Sequence, residues 1–304
     1  MKIQPVDYVW MDGKFVKWDE AKIHVMTHGL HYGTGVFEGI RAYPVNGNLY
    51  VFRLKDHLKR LINSAKIYMM EINYTIEELN EVILELLRKN KIKELCYIRP
   101  IVFRGLGEFG LNPLGSPIQI AVCAFPVGAY LEKGGVSVCT SSWCRIPDVS
   151  IPSTAKACGS YLNSVLAKIE AVQNGYDEAI FMDINGYLSE GAGENIFLVK
   201  KGVIYTPPIS SSILEGITRD SIIKIISDLG YPFVERPILK SELYVCDEAF
   251  FTGTAAEITP ILKVDNRVIG DGKIGEVTSK IREFFFEIIS YKRPSYQHWL
   301  TKVY

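Results

Sequence analysis

The pattern of apolar and polar positions divides the chain into helical stretches and short strand-like runs. Leu58, Leu61 and Ala65 share one face at helical spacing, which predicts an amphipathic helix. Another helix is expected to begin at Thr75-Ile-Glu-Glu, a capping-box pattern. The predicted helices cover residues 55–70, 75–90, 159–174, 217–229 and 273–290.

Apolar runs too short for helices alternate with these stretches. The Asp12-Gly13 pair predicts the tight turn of a hairpin within residues 5–18. Further strands are predicted at residues 49–52, 95–103, 118–125, 136–140, 178–183 and 249–251. The pattern predicts an α+β fold in two domains. These are a small N-terminal α/β domain at residues 1–126, a linker at 127–135 and a larger C-terminal domain at 136–304.

Composition narrows the classes of function. The 304 residues carry a formal net charge of zero, which argues against a broad basic surface for nucleic acid or membranes. No apolar run reaches the length of a membrane span, and residues 1–7 lack the apolar core of a secretion signal. The six cysteines form no CxxC pair and are expected to be reduced. A cytoplasmic globular enzyme is therefore predicted.

Three histidines near the start invite a metal interpretation, which the spacing does not support. His24, His28 and His31 are interrupted by glycines, so one regular helix would not present all three. The glutamate of an HExxH motif is also missing. We predict no metal site and interpret residues 23–43 as a glycine-rich pocket wall.

Lys156 lies among small residues, in Ser153-Thr-Ala-Lys-Ala157. A surface lysine does not need small neighbours, whereas a lysine that reaches a bound carbonyl group does. The ten residues around it leave both interpretations open.

Three other positions carry charge with the same ambiguity. Tyr97 and Arg99 are two apart in a predicted strand, so they share a face. That face could receive a carboxylate or could simply be exposed. Arg60 lies beside the apolar stripe of the first helix, where a surface arginine can also lie.

Glycine-bearing turns supply further candidates. Glu190 and Glu194 lie in one such bend, either as an acid/base pair or as turn residues facing water. Gly216-Ile-Thr218 begins a predicted helix, whose first N–H groups can hold a phosphate unless Thr218 is only a cap. Thr252-Gly-Thr254 follows a strand in the same way. No P-loop or strand-following GxGxxG occurs, which disfavours nucleotide binding.

Taken together, these segments resemble the class IV (fold-type IV) pyridoxal-phosphate aminotransferases, most closely the branched-chain amino acid aminotransferases. The resemblance covers essentially the whole chain and implies a C-terminal domain with a β-barrel-like core. The six motifs, in the family's order, are His31-Tyr-Gly-Thr-Gly-Val-Phe-Glu-Gly-Ile-Arg41, Tyr97-Ile-Arg-Pro100, Ala155-Lys-Ala157 with Tyr161, Ser189-Glu-Gly-Ala-Gly-Glu-Asn195, Gly216-Ile-Thr-Arg219 and Gly253-Thr-Ala-Ala-Glu257.

The resemblance implies pyridoxal 5'-phosphate as cofactor and Lys156 as the catalytic residue that forms a Schiff base with it. Glu190 would meet the pyridine nitrogen, and Tyr161 would bind the ring 3-oxygen. The phosphate would be held by Arg60, Ile217, Thr218 and Thr254.

The implied reaction is a ping-pong transamination of leucine, isoleucine or valine with 2-oxoglutarate. The side-chain pocket would be formed by Tyr32, Phe37, Tyr97, Leu111 and Tyr130. Arg99 would receive the distal carboxylate of glutamate. The α-carboxylate would be bound by Thr254, Ala255 and Tyr97.

The implied partners are amino acids, 2-oxo acids and further copies of the chain, in a homodimer or a homohexamer. A D-amino-acid aminotransferase, an amine transaminase or an aminodeoxychorismate lyase of the same fold is the alternative. A catalytically silent binding protein on this fold is the alternative from a different class.

Overall fold

A computed structural model of the chain describes residues 3–128 and 134–304. The helices are α1 (His28–Tyr32), α2 (Leu54–Ile67), α3 (Ile76–Lys89), α4 (Tyr161–Gln173), α5 (Ile217–Asp228), α6 (Lys240–Leu243) and α7 (Glu276–Ile289). Short 3-10 helices lie at Trp18–Glu20, Ile209–Ser211 and Pro294–Trp299. No helix within these described ranges is long and apolar enough to cross a membrane.

The strands fall into two sheets. In chain order they are β1 (Tyr8–Met11), β2 (Lys14–Lys17), β3 (Gly35–Phe37), β4 (Ile40–Val45), β5 (Asn48–Phe52), β6 (Cys96–Arg104), β7 (Ile118–Pro126), β8 (Val136–Thr140), β9 (Glu178–Met182), β10 (Leu188–Gly191), β11 (Asn195–Lys200), β12 (Val203–Thr206), β13 (Phe233–Glu235), β14 (Glu248–Gly253), β15 (Glu257–Val264), β16 (Arg267–Val268) and β17 (Leu300–Lys302).

Local sequence signals account for several of these elements. The predicted capping box of α3 is confirmed, because the Thr75 hydroxyl accepts the Glu78 N–H and the Glu78 carboxylate accepts the Thr75 N–H. The predicted hairpin is also confirmed, with positive φ at both Asp12 and Gly13 between β1 and β2. The paired strand β15 was not predicted, since Pro260 in its middle argues against a strand.

The structure groups the chain into two compact units. The N-terminal unit comprises Met1–Ala129, Ala155–Gly159 and Ile288–Tyr304, and the C-terminal unit comprises Tyr130–Thr154 and Ser160–Glu287. Two segments therefore leave the predicted 136–304 domain. Ala157 forms a bridge with Val36, and β17 pairs with β5, which explains why both segments join the N-terminal unit. The domain bounds themselves stay a prediction.

The N-terminal unit is built on an eight-stranded sheet in the order β17-β5-β4-β6-β7-β1-β2, with β3 paired to β6. Helices α2 and α3 pack on one face through apolar side chains such as Leu58 and Ile83. Because side chains alternate along a strand, Ile98 and Val102 of β6 face these helices. Tyr97 and Arg99 are thereby directed to the opposite face, away from the helical layer.

The C-terminal unit is built on a nine-stranded mixed sheet in the order β10-β9-β8-β15-β14-β11-β12-β13, with β16 paired to β15. Its central strands are apolar, and the rings of Phe197 and Phe250 stack with centroids 5.1 Å apart. Asn195 at the start of β11 lies opposite Thr252 near the end of β14. The bend before β11 and the turn after β14 therefore lie at the same edge of the sheet.

Candidate active site

Lys156 is held by its main chain between a strand and a helix of the N-terminal unit. Its carbonyl accepts the N–H of Phe37 at 3.0 Å, and its own N–H donates to Oγ of Ser64 at 3.1 Å. Its Nζ lies 5.1 Å from the centroid of the Phe37 ring. The lysine is half-buried, and its main chain is fixed from two sides.

Small residues beside Lys156 serve a close approach of two backbone segments. A Cβ on Gly33, which has a φ of +66°, would lie 3.0 Å from Cα of Gly159. Neither chain segment could stay in place with a larger residue at position 33. The small neighbours of the lysine thus have one structural cause in addition to any clearance for a ligand.

Tyr97 and Arg99 lie on the same face of β6, as predicted. Nη2 of Arg99 donates to the Tyr97 hydroxyl at 3.0 Å, and the guanidinium carbon lies 4.7 Å from the Phe37 ring centroid. Nε of Arg99 is buried and has no hydrogen-bond partner in the part of the chain that the structure describes. An apolar ring, a hydroxyl and a cation with hydrogen-bonding capacity therefore stand next to the lysine amine.

Arg60 is not the surface arginine that its position beside an apolar stripe allowed. Its Nε donates to Oε1 of Glu38 at 2.6 Å, and its Nη2 donates to Oε2 at 2.8 Å. Oε2 of Glu38 also accepts Nδ1 of His57 at 2.7 Å. The guanidinium is thus held by a carboxylate that no water reaches, since the Glu38 side chain is 0% exposed.

In the C-terminal unit, Glu190 is buried beside one cation and two hydrogen-bond donors. Nε of Arg145 lies 3.0 Å from its Oε1. Its Oε2 accepts Nδ2 of Asn195 at 3.1 Å and the N–H of Leu214 at 3.1 Å. This carboxylate does not face water as a turn residue would. Its orientation is set by elements that approach it from different parts of the sequence.

Glu194, the other carboxylate of this bend, has a different environment. Burial raises its pKa to about 8, and the negative charge of Glu178 acts in the same direction. Its Oε2 accepts the N–H of Gly193 at 3.0 Å. The neighbouring cation of Lys168 is 2.7 Å from Glu178 instead. Glu194 is therefore uncharged near neutral pH, unlike a carboxylate paired with a cation.

Two turns of the C-terminal unit present backbone N–H groups and hydroxyls close to Glu190. Helix α5 begins at Ile217 after the cap residue Gly216, where a Cβ would collide with Oδ1 of Asn195. The first N–H groups of this helix have no carbonyl partner within it. Thr254 lies in the turn between β14 and β15, and the preceding Gly253 packs against Gly193.

Asn195 connects these features, because its amide also donates to the Leu214 carbonyl at 2.9 Å. Thr218 is buried in the first turn of α5, and Tyr161 is the first residue of α4. One turn further along α4, Ser164 accepts Nη1 of Arg145 at 3.3 Å. The cofactor-binding residues predicted in this unit therefore lie on elements that the Glu190 network ties together.

Three predicted substrate residues lie apart from the buried group around Phe37. Tyr32 is 39% exposed and Leu111 is 84% exposed. The Tyr32 ring lies 4.6 Å from that of His28, whose Nε2 lies 3.0 Å from the carbonyl of Gly110. Tyr130 lies outside the described residues. The roles assigned to these three residues stay predictions.

Sequence reasoning missed four residues of these networks: Glu38, His57, Arg145 and Asn195. A signal existed for Glu38, which stands among Val36, Phe37 and Ile40, where an isolated charge is expected to be buried. His57 adjoins Leu58 in the apolar part of α2, which is a weaker signal. Nothing in the local sequence distinguished Arg145 from an ordinary surface arginine.

Comparison with known proteins identifies the class. The model of the family described as amino-transferase class IV matches residues 35–264. The chain therefore belongs to the class IV aminotransferases, which use pyridoxal 5'-phosphate. The branched-chain-amino-acid aminotransferase of Escherichia coli (strain K12) is 46% identical over 308 aligned residues, covering 100% of this chain and 99% of that one.

Solved structures agree with this relationship. The branched-chain aminotransferase of Thermoproteus uzoniensis with norvaline superimposes with a TM-score of 0.95 at 48% identity, covering 98% of this chain and 100% of that one. The branched-chain amino acid aminotransferase of T.th., complexed with N-(5'-phosphopyridoxyl)-L-glutamate, also gives a TM-score of 0.95 at 48% identity, covering 99% of this chain and 100% of that one. The predicted α+β, fold-type IV architecture is confirmed.

Proposed function

We propose that this protein transfers the amino group of leucine, isoleucine or valine to 2-oxoglutarate in a ping-pong reaction, giving 2-oxo acids and L-glutamate. The contact of Arg99 with Phe37 carries the proposal. An aromatic ring suits an aliphatic side chain, because burying apolar surface is favourable. The guanidinium beside it suits the second carboxylate of glutamate. One wall can therefore serve both half-reactions.

The residues present fit pyridoxal 5'-phosphate. A lysine amine suits its aldehyde, a buried carboxylate at Glu190 suits a protonated ring nitrogen, and helix N–H groups at Ile217 and Thr218 suit its phosphate. When bound, the cofactor supplies a carbonyl that takes up the amino group and a ring that accepts the electron pair left at Cα. We assign Arg60 and Thr254 to the phosphate and Tyr161 to the ring oxygen.

The chain's own groups then divide the work. Lys156 takes the proton from Cα of the amino acid and delivers it to the cofactor carbon, as a general base and then a general acid. Its fixed main chain limits the Nζ to positions near Phe37. The Tyr97 hydroxyl, Thr254 and Ala255 orient the α-carboxylate. Tyr32, Leu111 and Tyr130 complete the side-chain pocket in this proposal.

We further propose that the chain acts as a homo-oligomer, a dimer or a hexamer. Leu111, Phe109 and Leu114 are more than half exposed on one loop, and a second copy of the chain would cover apolar surface of this kind. In such an assembly Tyr32 and Leu111 would serve the pocket of the neighbouring copy. All six cysteines are unpaired, which supports the reducing cytoplasm as the location.

The test is the Lys156→Ala variant, compared with Lys66→Ala, which changes an exposed lysine of α2. Lys156→Ala is expected to lose the visible absorbance of the bound cofactor and leucine–oxoglutarate transamination, while Lys66→Ala keeps both. Full transamination in Lys156→Ala would refute the assignment.

Half-reaction spectra of the wild type then define the substrate class. L-leucine and L-glutamate are expected to convert the cofactor, whereas D-alanine and a primary amine are not. Faster conversion by D-alanine than by L-leucine would favour the D-amino-acid aminotransferase alternative.

A further inference from the structure

Glu38 and His57 form a buried group next to Arg60, and neither has a role in the function proposed above. The Glu38 side chain is 0% exposed, and that of Arg60 is 13% exposed. Glu38 receives two hydrogen bonds from Arg60 and one from His57, all between 2.6 and 2.8 Å. The more exposed member of the group is therefore the cation, and the carboxylate lies behind it.

The protonation states in this group follow from burial and contact. Burial alone would raise the pKa of Glu38, but the charge of Arg60, with the hydrogen bonds from Arg60 and His57, holds that pKa well below its usual range. Burial lowers the pKa of His57, so its ring is neutral near pH 7. An ionised carboxylate only accepts hydrogen bonds, so the proton of the neutral His57 ring is on Nδ1.

Stability alone does not account for such a group. Removing a carboxylate and a guanidinium from water costs about as much as their attraction returns, and apolar side chains of similar size often serve stability equally well. What a bidentate pair does supply is one orientation of the guanidinium plane. Two of the three Arg60 nitrogens are committed to Glu38, which fixes that plane relative to α2 and β3.

The same two elements also hold Lys156. Ser64 lies on α2 one turn beyond Arg60 and accepts the Lys156 N–H. Phe37 directly precedes Glu38 and donates its N–H to the Lys156 carbonyl. Since neighbouring residues of an extended segment point to opposite faces, Phe37 is directed toward the lysine and Glu38 toward the arginine.

We propose that Glu38 is a positioning residue that fixes Arg60 for the phosphate of the cofactor, and that His57, through its Nδ1–H, fixes Glu38. This inference rests on the phosphate role proposed for Arg60. Charge alone would act in the opposite direction, because a carboxylate behind the guanidinium weakens its attraction for an anion. Removing the charge of Glu38 therefore separates the two effects by sign.

The experiment measures the affinity of the full-length apoenzyme for pyridoxal 5'-phosphate and for pyridoxal, which lacks the phosphate. For Glu38→Gln we expect the ratio of the two affinities to fall at least about tenfold, the factor for one lost charge-assisted hydrogen bond. Arg60→Ala should lower the same ratio by at least as much. Glu85→Gln, on the exposed face of α3, makes the same charge change and should leave the ratio unchanged.

Each other result has a definite meaning. Tighter phosphate binding in Glu38→Gln, or an equal loss for both ligands, would overturn the positioning role. An unchanged ratio in Arg60→Ala would overturn the phosphate role of Arg60 itself, while leucine transamination by the wild type would still stand. A normal ratio in Glu38→Gln with a lowered ratio in Arg60→Ala would refute only the inference.

A matched pair at His57 keeps the test valid if Glu38→Gln does not fold. His57→Asn retains an N–H near the position of Nδ1, whereas His57→Leu removes it. We expect His57→Leu to lower the affinity ratio about threefold, as for one neutral hydrogen bond, and His57→Asn to restore it. Equal ratios in the two variants would contradict the role of the Nδ1–H.

Discussion

Two buried arginine–glutamate pairs lie in the two units of this chain, with opposite arrangements. In the pair of Arg60 and Glu38 the cation is the more exposed partner, with side-chain exposures of 13% and 0%. In the pair of Arg145 and Glu190 both are almost equally buried, at 8% and 6%. Glu190 receives a backbone N–H and an amide in addition to its arginine.

The difference shows that the partner behind a charge determines what the pair can offer to a ligand. Glu38 takes up two nitrogens of Arg60 and leaves a cation as the exposed group, which suits a phosphate. The donors around Glu190 stabilise an anion at low exposure, which suits a protonated ring nitrogen. The same two residue types thus support opposite ligand charges in one enzyme.

The largest expected effect on turnover comes from neutralising Glu190. In Glu190→Gln the carboxylate becomes an amide of the same shape, which no longer favours a proton on the ring nitrogen. We expect kcat for L-leucine to fall on the order of 100-fold or more, with the cofactor retained. Stopped-flow absorbance of the first half-reaction measures this loss. A kcat within twofold of the wild type would show that the two pairs do not differ in the proposed way.

A smaller effect is expected from removing the cation beside Glu190. Arg145→Met keeps much of the side-chain volume but leaves the Glu190 carboxylate without its paired guanidinium. We expect kcat to fall about tenfold with little change in cofactor affinity. If Arg145 acts only through Glu190, the double variant with Glu190→Gln should be no slower than Glu190→Gln alone. Additive losses in this cycle would contradict that role.

The smallest effect on turnover, but a clear one on stability, is expected for Glu194→Gln. Since the folded-state pKa of Glu194 is about 8 and an unfolded glutamate has one of about 4.3, folding favours the protonated form. Stability is therefore lost as pH rises from about 4.3 to about 8. The variant lacks this loss and should be more stable than the wild type at pH 8.5 by at least about 1.4 kcal/mol.

Urea unfolding at pH 5 and at pH 8.5 measures the difference, and turnover at pH 7 should change little. Equal pH dependence in both proteins would show that Glu194 is charged in the folded state. That result would make it resemble Glu190 and weaken the contrast between the two carboxylates of this bend.

The sequence by itself determined the elements whose signals are local and the family whose motifs are ordered along the chain. Helical spacing predicted α2, and the Thr75–Glu78 pattern predicted the start of α3, because these depend on neighbours within a few residues. The spacing of Tyr97 and Arg99 predicted their shared face for the same reason. The six ordered motifs were sufficient to indicate the class of enzyme and its cofactor.

Only the tertiary structure decided which charges meet. Glu38 reaches Arg60 because β3 and α2 pack together, and Arg145 reaches Glu190 from a separate loop of the other unit. Such contacts depend on strand register and on how helices pack against sheets, which local periodicity does not encode. The sequence could therefore indicate Lys156, Arg60 and Glu190, but not the residues that hold two of them in place.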